Sequence, residues 1–253
     1  MSRCPLRGTG FDCDLQRRIV AAQRYVDGRP GTVGIVVRDR RTGAMWRNGY
    51  ADTEVWTAST IKLAMTVDLL TRDRAGLISL TATDRAHIRA MLHVSDDDAA
   101  DALWFRYAGV DHFAYNNRFP AYGMTTLRPQ KGFTDFYPYW GFQKCTPADL
   151  DRLMQYVLAR LNPADRDYVV AQMRSVGSVQ QWGVWGAGAA AQPGNKDGWS
   201  EEQGGWVINT VGFVGPSERY TLAIMNSLNR QGGYDDGVTT DSRVAALLFG
   251  GRF

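Results

Sequence analysis

The placement of strand-like and helix-like segments along the 253-residue chain constrains its fold most strongly. Alternating apolar residues, the pattern of half-buried strands, occur near both ends of the chain, whereas the stretch from about 58 to 175 is mostly helical in pattern. The simplest arrangement that pairs such strands is one sheet built from both termini and covered by the terminal helices. The helical middle then forms a lobe inserted between the two halves of the sheet.

The individual segments have recognisable limits. Thr146 is a typical N-cap, with Pro147 in the first helical turn and Asp149 at the positive end of the helix dipole. Asn162-Pro163 starts another helix. The remaining expected elements are a helix at 14–27, two strands within 31–50 joined by a turn at 40–44, strands at 194–199, 205–214 and 219–227, and a terminal helix at about 240–249.

This pattern predicts a single domain, residues 1–253. We expect a sheet lobe of about 14–57 and 190–253, a helical lobe of about 58–189, and an active cleft between the two lobes. We find no repeats, low-complexity tracts or linkers, and we expect a monomer.

Composition excludes several classes of function. The net charge is +3, from 29 basic and 26 acidic residues, and no basic run suggests a nucleic-acid partner. No apolar stretch approaches the roughly 18 residues of a membrane span, and no signal-peptide core is visible at the N-terminus. We therefore expect either a cytoplasmic protein or a secreted or cell-envelope protein whose signal peptide was removed.

The cysteines and histidines do not predict a metal centre. Cys4 and Cys13 are close enough in sequence to close a small disulfide loop, which would leave Cys145 single. The three histidines lack metal-ligand spacing, and no Cys/His cluster suggests zinc. We expect neither a metal nor an organic cofactor.

The stretch TASTIKLAM, residues 57–65, places Ser59 and Lys62 three positions apart at the start of an apolar helical run. Residues at this spacing face each other on a helix, so the amine of Lys62 could take the proton of the Ser59 hydroxyl. The pattern is weak alone, because a helix-start serine and a solvated lysine give the same letters.

Two further short segments fall where a cleft between the lobes would use them. Ser95-Asp96-Asp97 precedes a helix, and Lys196-Asp197-Gly198 lies on the first strand after the helical lobe. Taken singly, Ser95 could be only an N-cap and Lys196 only a surface charge.

In this order, the three segments resemble the Ser-x-x-Lys, Ser-Asp-Asn and Lys-Thr-Gly signature of class A β-lactamases and penicillin-binding proteins. The resemblance to this β-lactamase/D,D-peptidase superfamily spans nearly the whole chain. The segments QQWGVWG, KDGW and RYTLAIMNS are especially similar to actinobacterial serine hydrolases related to class A β-lactamases. The resemblance implies a β-lactamase/transpeptidase-like α/β (α+β) fold, with an antiparallel sheet flanked by helices and an inserted all-helical lobe.

The resemblance also implies roles for individual residues. Ser59 is expected to be the nucleophile, with Lys62 as its base. The backbone N–H groups of Ser59 and Trp199 are expected to form an oxyanion hole. Ser95 would relay a proton to the leaving nitrogen, and Lys196 would supply positive charge beside Ser95 and attract an anionic substrate group.

The chain departs from the family pattern at two substrate-binding positions. Asp97 stands where the family has Asn, and Asp197 where it has Thr, next to Gly198 and Trp199 in the expected binding site. An aspartate beside Lys62 favours the protonated amine, and both carboxylates would repel an anionic ligand. We therefore expect penicillins to bind poorly and the natural substrate to be neutral or cationic at that end.

No glutamate occurs between Glu54 and Glu201, although class A β-lactamases use a loop glutamate for deacylation. Asp135 is the only carboxylate in the corresponding stretch, 128–147. We therefore expect an acyl-enzyme at Ser59, formed with an amide or β-lactam substrate, whose deacylation is impaired or uses an atypical base. The alternatives are an acyltransferase or D,D-peptidase-like enzyme acting on a small-molecule or peptide amide, and a non-catalytic binding or sensor protein.

The same stretch is rich in aromatic residues. They could form a wall or lid over the site, or simply pack the loop onto the helical lobe. The residues are Phe133, Phe136, Tyr137, Tyr139, Trp140 and Phe142.

Overall fold

The computed structural model describes residues 4–6, 8–135 and 139–251. The helices in these ranges are α1 (Cys13–Asp27), α2 (Ile61–Arg74), α3 (Ala82–His93), α4 (Asp97–Tyr107), α5 (Pro147–Ala159), α6 (Pro163–Arg174) and α7 (Tyr234–Phe249). The strands are β1 (Thr32–Asp39), β2 (Met45–Arg47), β3 (Val55–Trp56), β4 (Arg128–Pro129), β5 (Gln143–Cys145), β6 (Gly194–Glu202), β7 (Gly205–Val214) and β8 (Tyr220–Ser227).

The main sheet is antiparallel and has the strand order β2-β1-β8-β7-β6. The first two strands come from the N-terminal part and the other three from the C-terminal part, as the sequence predicts. Asp197 lies opposite Thr210, and Thr210 lies opposite Ile224. Because β7 lies between β8 and β6, β6 is an edge strand. Its outer edge carries backbone groups that do not pair with another strand of the main sheet.

The two faces of the sheet pack against different helices. Side chains alternate between faces along a strand, so β1 sends Val33, Ile35 and Val37 into one apolar cluster with α1 and α7. Val36 of the same strand joins the larger cluster formed with the helices of the middle segment. The mixed α/β architecture with helices on both faces confirms the predicted fold class.

Local signals explain several helix limits. Thr146 and Asp149 form a reciprocal capping box at the start of α5, with Pro147 in the first turn, as predicted. Asp12 caps α1 by accepting a hydrogen bond from the N–H of Leu15. A disulfide joins Cys4 to Cys13 ahead of this helix, and Cys145 is a buried free thiol.

One predicted helix limit is corrected. Helix α7 begins at Tyr234 rather than near 240, and Asp236 accepts a hydrogen bond from the N–H of Gly233 at its start. Gly237 weakens the helical signal of this first turn. A side chain at Gly237 would collide with Ile208, because the position of its Cβ lies 2.3 Å from Ile208 Cγ1.

The inserted segment is not all-helical. It contains β4 and β5, which pair with β3 in a separate three-stranded sheet of order β3-β5-β4. Its strands have two or three residues each, too few for a periodic sequence signal. This small sheet matters for the site, because β3 leads directly into the turn that carries Ser59.

No helix within the described ranges is long and apolar enough to cross a membrane. Among the same residues, no group of three or more His, Cys, Asp or Glu side chains is arranged to hold a metal ion.

Candidate active site

Ser59 lies in a short 3₁₀ turn, Ala58–Thr60, that continues into α2. Ala58 has a φ of +44°, a left-handed value that a non-glycine residue adopts at an energetic cost. The turn is held by Asn209, whose Nδ2 donates to the carbonyls of Trp56 and Thr57 at 2.9 and 3.3 Å. The backbone around Ser59 is therefore held by β7 of the main sheet.

The hydroxyl of Ser59 is not engaged by its neighbours. The residue is 8% exposed, and its Oγ has no hydrogen-bond partner in the part of the chain that the structure describes. Ser59 thus presents a hydroxyl that no described residue engages, the state in which a nucleophile can react with a substrate.

The amine of Lys62 is fully buried and points at the Ser-Asp-Asp loop. It donates to the carbonyl oxygen of Ser95 at 2.6 Å and to Asp97 Oδ1 at 2.5 Å, and it lies 3.5 Å from Ser95 Oγ. Burial lowers the pKa of Lys62 below its ordinary value, and the carboxylate of Asp97 only partly opposes that shift. Asp97 itself is 71% exposed at the mouth of the site.

Ser95 links the two lysines. Its backbone is left-handed, with a φ of +61°, which turns the loop so that both amines reach it. Lys196 Nζ lies 2.9 Å from Ser95 Oγ, on the side opposite Lys62. Burial lowers the pKa of Lys196 well below its usual value, and the nearby charge of Lys62 adds to the effect.

Gln180 is a positioning residue that the sequence analysis missed. Its Oε1 accepts from Lys196 Nζ at 2.6 Å and from the backbone N–H of Asp197 at 3.2 Å. Its Nε2 donates to the carbonyls of Leu92 and His93, at the end of α3 just before the Ser95 loop. One buried amide therefore ties β6 to the loop that carries Ser95.

Gly198 lets β6 approach the nucleophile. A Cβ atom at this position would lie 2.8 Å from the nitrogen of Ser59 and 2.6 Å from that of Thr60, so only glycine fits. Along an antiparallel strand, backbone N–H groups alternate between the two edges. The N–H of Asp197 faces the outer edge, towards Gln180, so the N–H of Trp199 faces the same edge.

The side chain of Asp197 points away from that of Lys196. Successive side chains alternate, so its carboxyl lies on the other face of the sheet, where it is fully buried. Lys196 Nζ instead donates to the backbone carbonyl of Asp197 at 2.7 Å. Burial raises the pKa of Asp197 to about 8, a rise that Thr210, Asn195 and Lys196 only partly oppose.

Trp140 covers Lys62. The amine lies 4.5 Å from the centre of the indole ring, and the indole Nε1 donates to Asp101 Oδ1 at 2.6 Å. Of the aromatic run, Phe133 packs edge-on against Trp104 at 5.8 Å, and Phe142 packs against Trp56 at 5.2 Å. Phe136 and Tyr137 lie outside the described residues, as does the side chain of Tyr139.

The structure thus brings together Lys62, Ser95, Asp97 and Lys196, and sets β6 against the N–H of Ser59. It does not bring Asp135 into this network: the residue is exposed in a turn, with no polar partner for its carboxylate among the described residues.

Comparison with known proteins agrees with this architecture. Residues 15–86 match a family model described as the β-lactamase enzyme family. A putative lipoprotein, LppW, of Mycobacterium tuberculosis H37Rv is 29% identical over 222 residues, covering 83% of this chain and 68% of its own.

Solved structures of similar shape share little sequence with the chain. An ancestral class A β-lactamase is 18% identical with a TM-score of 0.75, over 91% of this chain and 98% of its own. PBP-A is 20% identical with a TM-score of 0.75, over 92% and 94%. A β-lactamase from Streptosporangium roseum is 19% identical with a TM-score of 0.73, over 92% and 97%. The resemblance to the β-lactamase/penicillin-binding protein superfamily is therefore confirmed, and the chain has the class A β-lactamase fold.

Proposed function

We propose that the protein is a serine hydrolase of the Ser-x-x-Lys type that forms an acyl-enzyme at Ser59 with an amide or β-lactam substrate. The observation that carries the proposal is the convergence of Lys62 and Lys196 on Ser95, beside a free Ser59 hydroxyl. Buried amines and a hydroxyl connected in this way form a path for moving a proton.

In the proposed reaction, Ser59 Oγ attacks the substrate carbonyl carbon and its proton passes to Lys62. The oxyanion is stabilised by the N–H groups of Ser59 and Trp199, which the close approach at Gly198 supports. The carbon–nitrogen bond then breaks, Ser95 donates its proton to the leaving nitrogen, and Lys62 passes the proton taken from Ser59 to Ser95 Oγ, 3.5 Å away. Lys196 holds the Ser95 hydroxyl in place throughout this step.

The lowered pKa of Lys62 supports its role as a base, since a larger fraction of the amine is neutral than in water. The carboxylate of Asp97 opposes this shift, because it favours the protonated form of Lys62. At the mouth of the site, it also disfavours an anionic substrate. We therefore propose a substrate that is neutral or cationic near the scissile bond.

Deacylation is proposed to be slow, or to use a base other than a loop glutamate. No polar contact with another described residue orients the carboxylate of Asp135 for this role. An acyltransferase or D,D-peptidase-like reaction, in which an amine replaces water, remains compatible with the same site.

The ion pair between Lys62 and Asp97 supports a second candidate, a non-catalytic binding or sensor protein. In its protonated form, paired with the carboxylate of Asp97 at 2.5 Å, Lys62 has no lone pair with which to accept the proton of Ser59. Acylation of Ser59 by any activated acyl donor would exclude this candidate.

We also propose that the protein functions outside the cytoplasm. Disulfides persist in oxidising compartments, and the Cys4–Cys13 bridge fits such a location. The relatives named as putative lipoproteins support the same view. Cell fractionation with thiol labelling of the native protein tests it, and sedimentation in solution tests the expected monomer.

The decisive experiment is intact-protein mass spectrometry after mixing with a panel of penicillins and cephalosporins, with β-lactam hydrolysis followed in parallel. A mass adduct that Ser59→Ala abolishes is expected. Hydrolysis without a lasting adduct would mean an efficient deacylating base. Neither an adduct nor turnover, with an amide-based acyl donor included in the panel, would favour the binding protein.

A further inference from the structure

The indole ring of Trp140 lies over the amine that the proposed reaction uses as its base. Lys62 Nζ is 4.5 Å from the centre of the ring, and both residues are buried, Trp140 at 5% and Lys62 at 0% exposed. Trp140 belongs to the same stretch, 128–147, as Asp135, which is exposed in a turn. This stretch therefore places an aromatic ring against Lys62, and not the carboxylate of Asp135.

Hydrogen bonds hold the ring of Trp140 in this position. Its Nε1 donates to Asp101 Oδ1, on α4, at 2.6 Å. The carbonyl of Trp140 accepts from Gln143 Nε2 at 2.7 Å, and the carbonyl of Gln143 accepts from the N–H of Thr57 at 3.1 Å. Trp140 is thus attached both to α4 and to the chain just ahead of Ser59.

The ring covers one side of the Lys62 amine, and polar groups lie on other sides. Nζ donates to the carbonyl of Ser95 and to Asp97, and it lies 3.5 Å from Ser95 Oγ. A buried water molecule needs about two to four polar partners, and the face of an aromatic ring is at most a weak acceptor. Water therefore has no favourable site between the ring and this amine.

The two halves of an acyl-enzyme reaction make different demands on the base. To form the acyl-enzyme, Lys62 accepts the proton of the Ser59 hydroxyl, and no water takes part. Hydrolysis then breaks the bond between Ser59 Oγ and the acyl carbon. The oxygen of water adds to that carbon, one of its protons goes to a base, and Ser59 Oγ takes up a proton. The base must lie within about 2.6–3.2 Å of the attacking water.

We infer that Trp140 keeps water away from Lys62, so that Lys62 serves as the base in acylation but not in hydrolysis. The inference rests on the proposed function and deepens it, because it gives a physical reason for slow deacylation. Trp140 is a positioning residue in this reaction: it acts through Lys62 and lengthens the lifetime of the acyl-enzyme at Ser59.

The test follows the acyl-enzyme by intact-protein mass spectrometry, with the acyl donor that labels Ser59 fastest. Trp140→Ala opens a path for water to Lys62, and its adduct should be lost about 10–100-fold faster than that of the unmodified protein. Trp140→Phe keeps a ring over the amine and should retain the slow loss. Phe133→Ala is the matched control, because it removes another buried ring of the same stretch, one that packs against Trp104. Its Tm should fall while its adduct persists.

Reductive methylation with formaldehyde and cyanoborohydride, followed by peptide mapping, measures the shielding without any substrate. In the unmodified protein and in Trp140→Phe, Lys62 should stay unmethylated while the exposed Lys131 reacts. In Trp140→Ala, Lys62 should become reactive. Lys196, which is buried and contacts Ser95 Oγ, should stay protected in all three proteins.

Two results would overturn the inference: rapid methylation of Lys62 in the unmodified protein, or equal rates of adduct loss in the unmodified protein and in Trp140→Ala. Failure of every donor to acylate Ser59 in the unmodified protein would instead contradict the proposed function. The methylation of Lys62 would then still decide whether Trp140 shields it.

Discussion

Lys196 and Asp197 are neighbours in β6, yet their side chains occupy opposite environments. On the front face, Lys196 Nζ contacts Ser95 Oγ, Gln180 Oε1 and a backbone carbonyl, all within 2.9 Å. On the back face, the buried carboxyl of Asp197 lies beside the uncharged side chains of Thr210 and Asn195 and forms no ion pair among the described residues. Two neighbouring buried residues that can carry charge can therefore differ greatly in their polar contacts. The reason is that successive side chains of a strand point to opposite faces of the sheet.

The front face is thus a hydrogen-bonded network around Ser95, whereas the back face buries a carboxyl whose pKa is raised by burial. Changes on the front should alter acyl transfer, and changes on the back should alter stability and its dependence on pH. Four substitutions test whether the two faces of the sheet act separately.

Replacing Lys62 with Met should have the largest effect. The variant removes the proposed base and the donor to Ser95, and acylation of Ser59 should fall by at least about 10³-fold. Time-resolved mass spectrometry with the most reactive acyl donor measures the rate. An acylation rate within tenfold of the unmodified protein would exclude Lys62 as the base.

Replacing Gln180 with Leu should slow acylation by about 10–100-fold, because Lys196 loses its shortest hydrogen bond and the Ser95 loop loses its tie to β6. Gln180→Glu is the matched variant. Its carboxylate would pair with Lys196 and raise the pKa of that amine, so the pH profile of acylation should shift upward. A residue that only supports the fold would change the Tm without moving the pH profile.

Replacing Asp97 with Asn should increase β-lactam acylation severalfold. The change removes the carboxylate that holds Lys62 protonated and repels an anionic ligand. Adding Asp197→Thr should contribute little further, because the side chain of Asp197 lies on the back face. If the double variant gains much more than Asp97→Asn alone, the separation between the two faces is wrong. No gain in either variant would refute the electrostatic explanation of poor penicillin binding.

Replacing Asp197 with Asn should have the smallest effect on acyl transfer, and it should change the pH dependence of unfolding. The pKa of Asp197 is raised to about 8, so between about pH 4 and 8 the folded protein holds a proton that the unfolded chain has released. The free energy of unfolding should therefore fall as the pH rises through this window, by up to about 1.4 kcal/mol per pH unit. Urea titrations across this pH range should show a flatter pH profile for Asp197→Asn, and an unchanged slope would contradict the shift.

Much of the fold could be predicted from the sequence, because period-2 and period-3.6 patterns report burial directly. The five strands of the main sheet and the capped start of α5 followed from such local signals. The small sheet and the first turn of α7 could not be predicted, since β4 has only two residues and Gly237 weakens the helical pattern.

The candidate site was less accessible to sequence reasoning. Gln180 gives no signal, because a glutamine in a 3₁₀ turn has no periodicity and its partners lie on α3 and β6. The orientation of Asp197 was available in principle, since the residue after Lys196 in a strand must face the other way. Long-range contacts such as Lys62 to Ser95, 33 residues apart, depend on the folded chain alone.

Gly198 has a consequence for how this protein can vary. The space beside the nitrogen of Ser59 exists because one position in β6 has no side chain, and even a methyl group would fill it. In a saturation mutagenesis experiment, position 198 should act as an all-or-none site, with every replacement losing acyl transfer whatever its polarity. At the neighbouring Asp197, in contrast, the effect of a replacement should vary gradually with the charge and size of the new side chain. In the proposed reaction, the oxyanion site thus depends on the absence of a side chain at position 198, and adding even one carbon atom there should abolish it.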